Sequence, residues 1–186
     1  MSLKEEKAAL RLTIRQALRA MSPEARQSSD ELLLLRLRAR PEFQAAGSLF
    51  LFYGVGTEPD TRSLILSLLE EGRPVALPRV LPGRRMEFRR LTDLSQLRPG
   101  PLHTMEPDES CPVIFPKTQD FTLVPALCYD ESRYRLGQGG GYYDRFLADL
   151  SGFSAGLCRD AVLQRALPVE PHDRPVRLIL TETRAF

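Results

Sequence analysis

The chain has 186 residues, 42% hydrophobic and 27% charged, with a net charge of +2. That length can bury one self-sufficient core, and so even a charge balance argues against a nucleic-acid surface or an anionic membrane as partner. No apolar run reaches the roughly 18 residues of a membrane-spanning helix, and the opening MSLKEEKAALRL has acids where a secretion signal has an apolar core, so one cytoplasmic domain, 1–186, is expected.

Leu3 to Ala20 carries apolar residues at helical spacing, among them Leu10, Ile14, Ala17 and Leu18. A second helix follows from MSPEARQSSDELLLLRLRA, with Ser22 as N-cap, Pro23 at the first helical position and Pro41 at or after its end. SLFLFY, 48–53, reads as a short buried strand between Gly47 and Gly54. TRSLILSLLEEG is an amphipathic helix stopped by Gly72. PVALPRV is the next strand, and MEFRRL, 86–91, a third, placed at an edge. Residues 92–120, rich in Pro, Asp and Gly, read as irregular. FTLVPALCY is an apolar strand in which Pro125 marks a bulge or a strand end. A helix is expected over 142–149, and SAGLC and VRLILTE are the closing strands. Strands alternate with helices, and several strands are apolar on both faces. That pattern predicts a mostly parallel sheet with helices on both sides, a three-layer, Rossmann-like α/β sandwich.

Cysteine is odd in number, at 111, 128 and 158, without metal-site spacing. Small buried or half-buried thiols in a reducing compartment are expected. His103 and His172 lie far apart, with no H-x-x-x-H pattern to suggest a zinc site. Lysine occurs only at Lys4, Lys7 and Lys117.

The least ordinary stretch is RYRLGQGGGYYDRFL, residues 133–147. Its glycines allow backbone N–H groups to converge on an anion, and a helix beginning directly after them adds its positive end. It is neither a Walker A loop, lacking Lys-Ser or Lys-Thr, nor G-x-G-x-x-G, since Tyr142 stands at the third glycine. It also follows the 121–129 strand, and ligands of open α/β sheets gather at strand carboxyl ends. A phosphate cradle and a flexible strand-to-helix connection both remain open on this reading.

VPALCYDESRYRLGQGGGYYDRFL resembles the signature of the 5-formyltetrahydrofolate cyclo-ligase family, in which an apolar strand leads into R-L-G-x-G-G-G-Y-Y-D-R. KAALRLTIRQALRAMSPEAR is similar to the family's K-x-x-x-R helix, LFLFYGVGTEPDT to its E-x-x-T loop and LPVEPHDRPVRLILTE to its P-x-E-x-H-D segment. The likeness covers nearly the whole chain. It departs at Asp160, where glutamate is commoner, at Arg177, where aspartate is usual, and at MEPDES, which keeps only Glu106-Pro107 of a longer pattern.

The resemblance implies a single cyclo-ligase domain on a sheet related to that of ribose-phosphate isomerase and the CoA-transferases. It implies ATP-dependent closure of 5-formyltetrahydrofolate to 5,10-methenyltetrahydrofolate by a monomer that needs Mg2+ and handles small molecules only. The alternative is a non-catalytic folate- or nucleotide-binding homologue. By resemblance Lys7, Arg11 and Arg135 reach the ATP phosphates, with Gly137, Gln138, Gly139, Gly140, Gly141, Tyr142 and Tyr143 around them. Asp144 and Asp173 hold the metal. Tyr53, Glu58, Tyr142 and residues 138–141 meet folate, and Arg79 its glutamate or a phosphate. Arg135, Tyr142 and Asp144 are the catalytic candidates. Read without the family, Lys7 and Arg11 form a solvated basic face, Asp144 is a first-turn acid, Asp173 a turn residue, Glu58 an exposed loop acid and Tyr53 core packing.

Overall fold

The computed structural model describes residues 2–101 and 103–186. Helix α1 (Leu3–Ala20) is started by Ser2, whose hydroxyl accepts from the Glu5 amide while the Glu5 carboxylate accepts from the Ser2 amide. Helix α2 (Pro23–Arg38) starts as expected, with Ser22 accepting from the Ala25 amide ahead of Pro23. Pro41 opens a further short helix, α3 (Pro41–Gln44), rather than only following α2. Strand β1 (Leu49–Phe50) leads to α4 (Thr61–Glu70). Strands β2 (Val75–Leu81) and β3 (Arg85–Leu91) form an antiparallel hairpin.

The stretch 92–120 is more regular than its composition suggests. It holds a 3-10 turn at Leu94–Gln96, an antiparallel pair β4 (Leu97–Pro99) and β5 (Met105–Pro107), and β6 (Val113–Ile114). β6 pairs with β3 and takes the sheet edge, so β3 is not the edge strand. Pro125 ends β7 (Phe121–Val124). The chain then forms a separate hairpin of β8 (Cys128–Tyr129) and β9 (Arg135–Leu136), and only after it comes the glycine run and α5 (Tyr142–Ala148). Strands β10 (Phe153–Leu157) and β11 (Leu178–Leu180) complete the main sheet.

The main sheet runs β11-β10-β7-β1-β2-β3-β6. Its pairs from β11 to β2 are parallel, and β3 is antiparallel to both neighbours. Alternate residues of the parallel strands turn to opposite faces. Leu77, Leu123 and Leu157 pack with Leu33 and Leu37 of α2 and Leu64 of α4. Val124 and Ile179 pack with Ile14 and Leu18 of α1, and Phe50, Ala76 and Phe88 with Phe146 of α5. Helices cover both faces, which is why these strands are apolar throughout. The three-layer α/β expectation holds. Cys111, Cys128 and Cys158 are all free and buried. No helix among the described residues is long and apolar enough to cross a membrane.

One buried ion pair links the helical layer to the sheet. Arg159, just past β10, is 3% exposed. Its guanidinium lies 2.8 Å from the Asp30 carboxylate of α2 and donates to the Arg26 carbonyl at 3.2 Å. Burial pushes the Asp30 carboxyl above its ordinary value, with Arg159 pulling the other way. Asp30→Ala leaves the guanidinium buried without a counter-charge, so a stability loss of about 3 kcal/mol is expected. Urea unfolding checks it, as a lower midpoint at unchanged slope. A loss under about 1 kcal/mol would mean that Arg159 finds another partner.

Candidate active site

The parallel sheet has a natural opening. After β1 the chain crosses to β2 on one side, and β7 returns on the other. Loops leaving the carboxyl ends of β1 and β7 therefore diverge and leave a crevice between them. A cavity of about 570 Å³ lies there, lined by Phe52, Tyr53, Val55 and Glu58 from the first loop and Pro125 and Ala126 from the second. Pro78, Val80 and Met86 of the β2–β3 hairpin, Thr104 to Glu106, the glycine run and the 170–173 segment close it.

The loop carrying Glu58 is held tightly. The Thr61 hydroxyl donates to the Phe52 carbonyl at 2.5 Å and accepts from the Gly54 amide at 2.8 Å. Glu58 itself accepts from the Val55 amide at 3.1 Å. A side chain at Gly54 would place its Cβ 2.2 Å from the Pro59 carbonyl oxygen, so only glycine lets the loop fold back this far. No cation neutralises Glu58 among its hydrogen bonds in the described residues. Burial pushes its carboxyl above the ordinary value, the Val55 amide only partly opposing this. A half-buried acid with one bond from the chain has capacity left for a ligand's N–H groups.

The glycine run is fixed from α1. Arg11 Nε donates to the Gly137 carbonyl at 2.8 Å, and Arg15 Nη2 to the Gln138 side-chain oxygen at 2.6 Å. Gly139 and Gly141 have φ of +99° and +68°, in the left-handed region. With Nε engaged, the Arg11 guanidinium still has its terminal donors. Arg135 donates to the Arg174 carbonyl at 2.8 Å and pairs with the Asp144 carboxylate. Helix α5 has only seven residues, so the anion preference of this rim rests on its cations and loop amides more than on a helix dipole.

Lys7 shares a stripe of α1 with Arg11, Ile14 and Leu18, at spacings of four, three and four along the helix. The apolar members anchor the helix on the sheet and turn both cations inward. The Lys7 ammonium lies 2.8 Å from Glu170 and 2.6 Å from Asp173. Burial works against both charges of the Lys7–Asp173 pair, but their hydrogen bonds and mutual attraction prevail: Lys7 is held above its ordinary value and Asp173 below. The hydrogen bond from Lys7 likewise holds Glu170 below the usual carboxylate range.

Of the residues expected at the site, Lys7, Arg11, Tyr53, Glu58, Arg135, 137–144 and Asp173 all line this cavity. Arg79 does not. The alternation of β2 turns Pro78 and Val80 to the cavity and Arg79 away, where it donates to the Pro107 carbonyl and to Glu109, each at 3.0 Å. The two expected metal ligands are differently engaged. Asp173 groups with Glu170 and His172, their donor atoms within 4.8 Å of one another, while Asp144 lies outside that group against Arg135. The Tyr143 hydroxyl is buried without a hydrogen-bond partner among the described residues, and burial pushes its pKa up, so it stays a donor.

Sequence reasoning missed Glu170 and Glu106. Glu170 stands in the same P-x-E-x-H-D segment as Asp173, whose carboxylate accepts from the Glu170 amide at 2.7 Å. Glu106 is 6% exposed and accepts from the Val80 amide and the Thr104 hydroxyl, each at 3.2 Å. The departures at Asp160 and Arg177 fall outside the cavity lining. Asp160 accepts from the Thr183 hydroxyl at 2.8 Å, and Arg177 is exposed at the start of β11.

These features define an α/β protein with a large crevice that offers cations and amides to a polyanion and a half-buried acid to a second, donor-bearing ligand. Comparison with known proteins narrows the class. Residues 3–182 match the model of the 5-formyltetrahydrofolate cyclo-ligase family, and the chain belongs to that family, whose members are ATP-dependent ligases. It is 30% identical to the 5-formyltetrahydrofolate cyclo-ligase of Escherichia coli K12, over 93% of this chain and 98% of the relative. It is 26% identical to that of Mus musculus, over 95% and 93%. The solved 5,10-methenyltetrahydrofolate synthetase of Aquifex aeolicus superposes with a TM-score of 0.85 at 30% identity, over 96% of this chain and 91% of that one.

Proposed function

We propose that the crevice closes 5-formyltetrahydrofolate to 5,10-methenyltetrahydrofolate with release of ADP and phosphate, its basic rim taking ATP and its Glu58 side the pterin. The observation that carries this reading is the shared cavity: the basic, amide-rich rim and the half-buried Glu58 line one space. A phosphoryl group can therefore pass between the two ligands without leaving the protein.

The chemistry explains why both are needed. A formamide carbonyl is a poor electrophile, because nitrogen donates into it, and its oxygen is a poor leaving group. Attack of the formyl oxygen on the γ-phosphorus breaks the bond to ADP and turns that oxygen into a leaving group. N10 then attacks the activated carbon, the C–O bond breaks and phosphate departs, taking up the proton that N10 gives up. The protein's share is alignment and charge neutralisation. Lys7, the terminal donors of Arg11, Arg135 and the loop amides neutralise the phosphates. Glu58 accepts from the amino-pyrimidinone edge of the pterin, as a carboxylate pairs with two adjacent donors. Tyr53 and Tyr142 cover ring faces.

Carboxylates of Asp144, Asp173 and Glu170 at one cavity are the hard oxygen donors that suit Mg2+. Bound with ATP, the ion would neutralise phosphate charge during transfer. In the ligand-free protein Lys7 and Arg135 balance these same acids. The protein works as a single-domain monomer in the cytoplasm, on small molecules alone.

The test is direct. Protein mixed with ATP, Mg2+ and 5-formyltetrahydrofolate should develop the near-ultraviolet absorbance of the methenyl product, and none when ATP is omitted. Folded protein that binds both substrates without that rise would show a binding homologue rather than an enzyme.

A further inference from the structure

The glycine-rich stretch ends in a side chain for which the reaction has no use so far. Arg145 is exposed and does not line the cavity. Yet its guanidinium ties together two walls that do. Nε and Nη2 donate to the Arg84 carbonyl at 3.2 and 2.6 Å, and Nη2 also donates to the Gly140 carbonyl at 3.1 Å. Its carbon stands 5.7 Å from the centroid of the Tyr142 ring. Arg84 is the tip of the β2–β3 hairpin, held at φ +57° beside Gly83 at +74°. That hairpin supplies Val80 and Met86 to the cavity, and Gly140 belongs to the anion-binding rim. Beneath this bridge Phe146 of α5 packs on Phe88 of β3, with centroids 5.0 Å apart. Among the hydrogen bonds of the described residues, those of Arg145 alone join the hairpin tip to the glycine run.

One planar fork holding two carbonyls makes their positions interdependent. A triphosphate that engages the 137–141 backbone fixes Gly140. Through Arg145 it then fixes Arg84 and the hairpin wall as well. A pterin meeting an already ordered wall loses less freedom on binding. We propose that Arg145 is a positioning residue that couples the two substrates: nucleotide at the rim tightens folate binding, and folate tightens nucleotide binding by the same factor, as linkage requires. This rests on the placement of ATP and folate given above. Three exposed hydrogen bonds to two carbonyls support a factor of about three to ten.

The experiment is calorimetric titration of 5-formyltetrahydrofolate with and without a saturating non-hydrolysable ATP analogue, on the wild type, Arg145→Ala and Arg145→Met. In the wild type the analogue should lower the folate Kd about three- to tenfold. Both variants should bind each ligand alone within about twofold of the wild type, with a coupling factor near one. Methionine keeps much of the aliphatic stem and removes the guanidinium with its donors. If it preserves coupling while alanine abolishes it, stem packing is responsible and the bridge is not. Coupling unchanged in both variants, or absent from a wild type that binds both ligands, overturns the proposal alone. A wild type that binds neither ligand overturns the substrate placement with it.

Discussion

Lys7→Met lowers kcat/KM for ATP by about a hundredfold or more and changes the KM for 5-formyltetrahydrofolate by less than about threefold. The size follows from removing one charge-assisted donor aimed at a transferring phosphoryl group, which typically costs 10²–10³ in rate. The asymmetry follows from position, because Lys7 sits with Glu170 and Asp173 where we place the triphosphate rather than at the Glu58 loop. Steady-state rates of product absorbance, with each substrate varied in turn, separate the two. Equal effects on both substrates would make Lys7 a structural residue only.

The same substitution has a pH signature. Methionine keeps an apolar side chain of similar length but leaves two acids facing each other. Glu170 and Asp173 are held below the ordinary carboxylate range in the folded protein. Their contribution to stability is therefore present above the unfolded-state values and disappears as pH falls through the lowered folded values. The loss of Tm in Lys7→Met should accordingly be plain at pH 7 and shrink as pH falls through those lowered values, where the acids of both proteins become protonated. A loss of Tm independent of pH would point to packing instead of charge.

Periodicity made the helices legible, since α1, α2 and α4 each depend on local capping and on a stripe that local sequence specifies. The strands were harder, because pairing is not local. SLFLFY is apolar from Leu49 to Phe52, yet only Leu49 and Phe50 are ladder residues of β1: its neighbours part at the crevice, and Phe52 and Tyr53 form part of the crevice wall. FTLVPALCY looks continuous, but Pro125 splits it between the main sheet and a hairpin whose partner strand is β9. In 92–120, short strands end at Pro99 and Pro107, so turn-like composition hides a ladder made with distant residues. The site divides the same way. A motif marks Glu58, Arg135 and the glycines, whereas the approach of Glu170 to Lys7, 163 residues away in sequence, exists only in three dimensions.

Glu58 carries the other large effect, and there stability and function have opposite signs. Glu58→Gln should lower kcat/KM for 5-formyltetrahydrofolate by about a hundredfold, since a buried site built to accept two N–H groups rejects a pairing in which one donor faces another. ATP binding should be nearly unchanged. The ligand-free variant should nonetheless melt at a higher temperature than the wild type at pH 7. Burial raises the Glu58 carboxyl above its unfolded value, so its favourable share of stability is present at low pH, while the group is neutral, and is lost as pH rises through the folded value. Glutamine is neutral at every pH and escapes that loss, so the difference in Tm between variant and wild type should vanish below about pH 4. The wild type's kcat/KM for folate should run the other way, falling as pH drops through the raised value, because the protonated acid accepts less well. A Glu58→Gln protein less stable than the wild type at pH 7 would mean that the carboxylate is held by the chain for folding, and the pterin would need another acceptor.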